Sequence, residues 1–236
     1  MARVVEAQMK EPTMPDHSGA ALTIQRVQPY ERRGIAVTSS AINADGYIDD
    51  RYSAYFDDQV PGLSWSAVIE ARSYVLIVED PDAPLDQPFV HWLVWNIPGQ
   101  ATEIPAGLSR TEQPTELAGA VQGLNSGGTV GWHGTKPPEG HGVHHYHFQL
   151  FALTDPLDLP PKTTLNELVD VLKGQAIASG EVIGLYEREA ADDAAAPNEP
   201  AHGAARDAEL GRGGLDSDDV DRHAPHDPDG GVKRRA

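Results

Sequence analysis

The sequence predicts a mostly-β protein, and three observations carry that prediction. Short apolar runs at Ser73–Val78, Phe89–Asn96 and His144–Leu153 are rich in Val, Ile and aromatic residues, and they are too brief for buried helices. Only one stretch repeats its apolar residues at helical spacing, namely Leu165, Leu168, Val169 and Leu172. Between the runs lie Gly, Pro and Thr, which favour turns and irregular backbone. The count comes to about seven or eight strands and one helix, the pattern of a mostly-β domain.

Taken in order, residues 1–20 mix charges, Pro and Gly without periodicity and read as a loose lead-in. Ala21–Thr38 alternates unevenly and is expected to supply one or two strands. Leu63-Ser64-Trp65 resumes a strand pattern, and Ser73–Val78 reads as a strand buried on both faces. Pro81, Pro84 and Pro88 then forbid regular pairing and impose an ordered loop. Strict alternation through the next strand puts Phe89, His91, Leu93 and Trp95 on one face, with Val90, Trp92, Val94 and Asn96 on the other.

Residues 99–143 are poor in apolar side chains, and an irregular stretch of that length in a compact domain is commonly functional. In the strand that follows, His144, Tyr146, Phe148 and Leu150 share one face, while His145, His147, Gln149 and Phe151 share the other. Thr164-Leu165-Asn166-Glu167 is a capping box that opens a helix expected over 165–178, with Gly180 as its stop. Glu181–Tyr186 forms a short final element.

From Glu189 to Ala236 there is no aromatic residue, and 12 acids stand against 6 bases. Such a segment cannot bury enough surface to offset its ordering entropy, so it reads as a disordered acidic tail, residues 189–236. The whole chain carries 36 acids and 18 bases, a formal charge of −18, which opposes non-specific binding to nucleic acid and anionic membranes. The absence of cysteine removes disulfides, thiolate metal sites and a cysteine nucleophile. No stretch approaches the apolar length of a membrane span or a signal peptide, so the expected location is cytoplasmic, without stable membrane insertion.

Chemistry concentrates in two places. In Asp80-Pro81-Asp82-Ala83-Pro84 the carboxylates either cap backbone N–H groups of the loop or accept hydrogen bonds from a ligand or a neighbouring imidazole. His91 lies among apolar residues, where it is either a core histidine with one satisfied bond or a pocket donor. The second place is the glycine-rich stretch from Gly131 to Tyr146, with Lys136 and five histidines close by. Its N–H groups could form an anion-binding concavity, or it could be a plain surface loop. The histidine spacing argues against zinc, because His144 and His145 face opposite ways. Nucleophile-elbow, phosphate-loop and dinucleotide fingerprints are absent.

These motifs taken together (DPDAP at 80–84, the strand His91–Pro98, the glycine loop, Pro137-Pro138-x-Gly140-x-Gly142 and His144-x-Tyr146-x-Phe148) resemble the phosphatidylethanolamine-binding protein family, in its bacterial Raf-kinase-inhibitor-like branch. The resemblance spans roughly residues 22–188 and implies a domain over 21–188 of two packed sheets with a peripheral C-terminal helix. It implies a small pocket for phosphate-like anions and phospholipid headgroups. Matched by motif, the ligand-binding residues are Asp80, Asp82, His91, Gly134, His144 and Tyr146, with Tyr186 near the pocket. It assigns no catalytic residue, metal or cofactor.

Several positions depart from the family pattern: His145 stands in place of an arginine, Thr135 in place of a proline, and Gln175 in place of a histidine. The functional expectation is a soluble binder of a small anion, with a protein partner and a homodimer as further expectations. In that reading Asp80 orients an imidazole or raises its pKa, so anion affinity climbs as pH falls toward the histidine range. The alternative is a hydrolase or isomerase with Asp80 and His91 as its acid–base pair.

Overall fold

The computed structural model describes residues 21–30 and 33–189. The lead-in and the acidic tail beyond Glu189 lie outside the described residues.

The chain opens with one helical turn, α1 (Thr23–Arg26), and two short strands, β1 (Arg33–Gly34) and β2 (Val37–Thr38). Next come β3 (Leu63–Trp65), β4 (Ser73–Asp80), β5 (Phe89–Pro98), β6 (Glu103–Ile104) and β7 (Val121–Gln122). The chain then runs through β8 (His144–Leu153), the helix α2 (Leu165–Leu172) and β9 (Ala176–Tyr186). Six strands form one sheet in the order β1-β9-β8-β4-β5-β7, and three form a second in the order β2-β3-β6. The pairings are antiparallel except at the edge, where β1 runs parallel to β9.

Every residue of β4 is buried, as its unbroken apolar run requires of a central strand. Its even-numbered side chains, Tyr74, Leu76 and Val78, pack with Trp92, Tyr146 and Phe148 against Leu63 and Trp65 of the small sheet. Its odd-numbered ones, Val75 and Ile77, pack with Leu93, Trp95 and Phe151 beneath Leu168, Val169 and Leu172 of α2. The large sheet therefore has a sheet on one face and a helix on the other. Each of the three buried α2 side chains contributes about 2 kcal/mol by leaving water.

Four expectations need correction. The helix α2 ends at Leu172, because Gly174 takes φ +78°, a left-handed conformation that terminates helices. The final strand then begins at Ala176 and runs eleven residues, much longer than the short element expected. Gly180 is no helix stop: it lies within β9, where a Cβ would collide with the Ile35 carbonyl of the segment that follows β1. Finally, strict alternation fails in β5. The β4 register pairs Val78 with Trp92 but Glu79 with Val90, leaving His91 as the extra residue of a β-bulge. The bulge turns His91 toward Tyr146 and Trp132, away from the face of Leu93 and Trp95.

Candidate functional site

The ends of β4, β5 and β8 converge with the 131–143 loop around a cavity of about 300 Å³. Asp80, His91, His133 and His144 supply its polar wall, and Lys136 joins them from the exposed side. Ala83, Pro84, Leu85 and Phe89 supply an apolar wall. The DPDAP loop thus contributes both a carboxylate floor and a hydrophobic rim.

Asp80 is the pivot. It ends β4, is buried, and through Oδ2 accepts a hydrogen bond of 2.8 Å from His144 Nδ1. Its Oδ1 accepts the Asp82 backbone N–H at 2.9 Å, so the loop itself fixes the carboxylate plane. His144 Nε2 lies 2.7 Å from His141 Nδ1, which extends the chain Asp80–His144–His141 toward the surface.

His91 is oriented from behind. Its Nδ1 lies 2.7 Å from the His133 carbonyl, and a carbonyl only accepts, so Nδ1 carries the proton. Nε2 then faces Asp80 Oδ2 across 3.9 Å. Burial pushes the imidazolium of His91 down to about 4, although Asp80 and the His133 carbonyl pull the other way. Asp80 thus pulls the His91 pKa upward as expected and orients the imidazole of His144, but at His91 the cost of burying charge exceeds the attraction of a carboxylate that makes no hydrogen bond to it, so the net shift is downward.

Tyr146 shares the face of His144 as strand parity requires, and its ring packs edge-on to His91 at 5.0 Å. Its hydroxyl is buried without a hydrogen-bond partner, and the residue lies behind the cavity wall. Burial, reinforced by Asp80, holds this phenol far above the ordinary tyrosine range, so it stays a neutral hydroxyl.

Besides Tyr146, three residues assigned by motif stand apart from the cavity. The carboxylate of Asp82 turns outward and accepts both the backbone N–H and the Nδ1 proton of His145, each at 2.8 Å. The histidine that replaces the family's arginine thus still pairs with the loop, on the side of β8 away from His144. Gly134 packs against the loop at Ser53 and Asp58, where a Cβ would sit 2.5 Å from the Ala54 nitrogen. Its carbonyl accepts from His133 Nδ1 at 3.0 Å. Tyr186 faces His144 across the β8–β9 ladder, but its hydroxyl donates to Asp50 Oδ1 and borders a separate cavity with Tyr47 and Glu187.

Thr135 does not loosen the loop: its carbonyl accepts from Ser53 Oγ and Ala54 N–H, and the residue is fully buried. Gln175 turns back to donate to the Val171 carbonyl.

Sequence reasoning missed Gly127, Leu85 and the carbonyl of His133. Gly127 lines the cavity because a Cβ there would meet the His133 ring at 2.8 Å, a tertiary contact with no local signal. Leu85 follows the proline motif directly and was legible as an apolar residue in a polar loop.

A family model described as phosphatidylethanolamine-binding protein matches residues 38–187. A UPF0098 protein of Pyrococcus abyssi is 42% identical over 151 residues, 64% of this chain and 84% of its own length. A Mycobacterium tuberculosis protein named as a candidate lipoprotein, LppC, is 32% identical over 174 residues, 73% of this chain and 83% of its own. The crystal structure of Escherichia coli YbcL, described as a new member of the mammalian family of this kind, superposes with a TM-score of 0.60 at 31% identity. It covers 65% of this chain and 98% of YbcL. Among the described residues no helix is long and apolar enough to cross a membrane.

Proposed function

Because the chain belongs to the phosphatidylethanolamine-binding protein family, we propose that its cavity binds a small oxyanion, a phosphate or a phosphorylated headgroup. The observation that supports this reading is the cavity beside Asp80. Buried imidazoles held at fixed angles form its floor, an ammonium stands at its open side, and its volume of about 300 Å³ suits a small ligand. Lys136 supplies attraction, the imidazoles supply directed hydrogen bonding, and the rim of Ala83, Pro84 and Leu85 excludes water from one side. Among the described residues Lys136 forms no ion pair that would compete with a ligand.

The proposal assigns no catalysis to the pocket. Asp80 accepts its imidazole hydrogen bond from His144, so the direct Asp80–His91 couple that an acid–base enzyme would use is not made. The lining offers imidazole, carboxylate and amine but no hydroxyl or thiol nucleophile. A cytoplasmic location belongs to the same proposal.

Calorimetric titration with inorganic phosphate is the test. Asp80→Ala and His91→Ala should each weaken binding at least about tenfold, the loss expected for a charged hydrogen bond. Unchanged affinity in both variants would end the proposal. A turnover screen on phosphomonoesters and carboxylic esters checks the absence of catalysis, and product release that depends on Asp80 would replace the binder with an enzyme.

A further inference from the structure

The three histidines that line the cavity share one arrangement. His91 Nδ1 donates to the His133 carbonyl at 2.7 Å, His133 Nδ1 donates to the Gly134 carbonyl at 3.0 Å, and His144 Nδ1 donates to Asp80 at 2.8 Å. Every one of these acceptors lacks a proton to give, so in each neutral ring the proton sits on Nδ1 and Nε2 keeps its lone pair. His144 Nε2 already accepts from His141 at 2.7 Å. His91 Nε2 faces the carboxylate of Asp80 at 3.9 Å. With its rings neutral the cavity is therefore built of acceptors at its floor, and the ammonium of Lys136 stands at its open side.

An oxyanion with no proton meets lone pairs and a carboxylate there. An oxyanion that carries its own O–H satisfies the floor and keeps its charge for Lys136. Resting on the oxyanion reading above, we infer that the pocket selects anions that also donate a hydrogen bond: hydrogen phosphate and singly protonated phosphomonoesters, over sulfate and phosphodiesters. The ligand O–H donates to His91 Nε2, and the anionic oxygens turn toward Lys136. An intact phospholipid, whose phosphate is a diester, lacks that O–H, whereas a free phosphorylated headgroup has it.

Bound sulfate has one other route, which is to draw a proton from solvent onto His91. The charged and titratable groups around that ring are Asp80 from β4, His144 and Tyr146 from β8, and His133 and Lys136 from the 131–143 loop. Taking up one proton makes sulfate affinity fall about tenfold for each pH unit of rise.

The experiment is calorimetry of the full chain at constant ionic strength with four probes: inorganic phosphate, methyl phosphate, sulfate and dimethyl phosphate. Near pH 6, where a phosphomonoester is about half protonated, phosphate and methyl phosphate should bind at least about tenfold tighter than the other two. Raising the pH by about two units should weaken methyl phosphate roughly in proportion to its lost proton, while inorganic phosphate, which keeps an O–H, holds. His91→Gln, whose amide can turn its donor to the cavity, should close the gap between phosphate and sulfate. Lys136→Ala should lower all probes together.

Sulfate or dimethyl phosphate binding within about threefold of phosphate overturns the donor inference and leaves the oxyanion reading standing. Failure of all four probes to bind the wild type overturns that reading as well. The wild-type ranking decides the matter even where His91→Gln does not fold.

Discussion

Protonation of His91 should be one of the larger pH-dependent costs in this fold. The ring is 3% exposed, its Nδ1 proton is committed to the His133 carbonyl, and its pKa lies near 4 where an unhindered histidine stands at 6.5. Above pH 6.5 the ring is neutral in both folded and unfolded chains and costs nothing. As pH falls from 6.5 toward 4 the unfolded chain takes up a proton that the folded chain refuses, so stability drops. Below about 4 both states are protonated and the loss stops growing. A gap of this width corresponds to about 3 kcal/mol, at about 1.4 kcal/mol per pH unit.

The assay is urea unfolding of the wild type and of His91→Asn between about pH 7.5 and 4. The asparagine amide keeps a donor for the His133 carbonyl but does not titrate. The wild type should lose about 3 kcal/mol relative to the variant across that range. A difference that stays constant with pH would refute the reasoning, because it would mean that Asp80 outweighs burial and His91 charges freely inside the fold.

Other perturbations follow from single contacts. Gly180→Ala should destabilise by about 2–4 kcal/mol in urea unfolding, because the added methyl meets the Ile35 backbone, which cannot withdraw while Ile35 N–H is bonded to Ser179. Glu79→Ala should cost about 3 kcal/mol and speed amide exchange at Thr23, since this buried carboxylate accepts both the Thr23 N–H and the Gln149 amide. His145→Ala should change stability by less than about 1 kcal/mol and leave phosphate affinity intact by calorimetry, because its pair with Asp82 is half exposed and points away from the cavity.

The local sequence left open whether Asp80 caps the loop or meets an imidazole, but by itself it determined the central strands and the face shared by His144 and Tyr146. Those features rest on local rules: apolar runs of strand length, period-2 alternation and proline breaks leave little freedom. It also fixed the start of α2, where Thr164 and Glu167 meet as a capping box requires.

Only the tertiary structure decided which imidazole Asp80 holds. Register pairs β4 with β8 and brings His144 to 2.8 Å, while His91 reaches the same carboxylate only through a bulge and stays at 3.9 Å. A bulge is an agreement between two strands about one extra residue, and neither strand alone encodes it. The same holds for Gly134, Gly127 and Gly180, whose missing side chains are demanded by neighbours distant in sequence. It holds as well for Asp82, drawn outward by a histidine 63 residues away. The proton positions that make the cavity floor an acceptor surface are set by backbone carbonyls and a carboxylate that folding places against each ring.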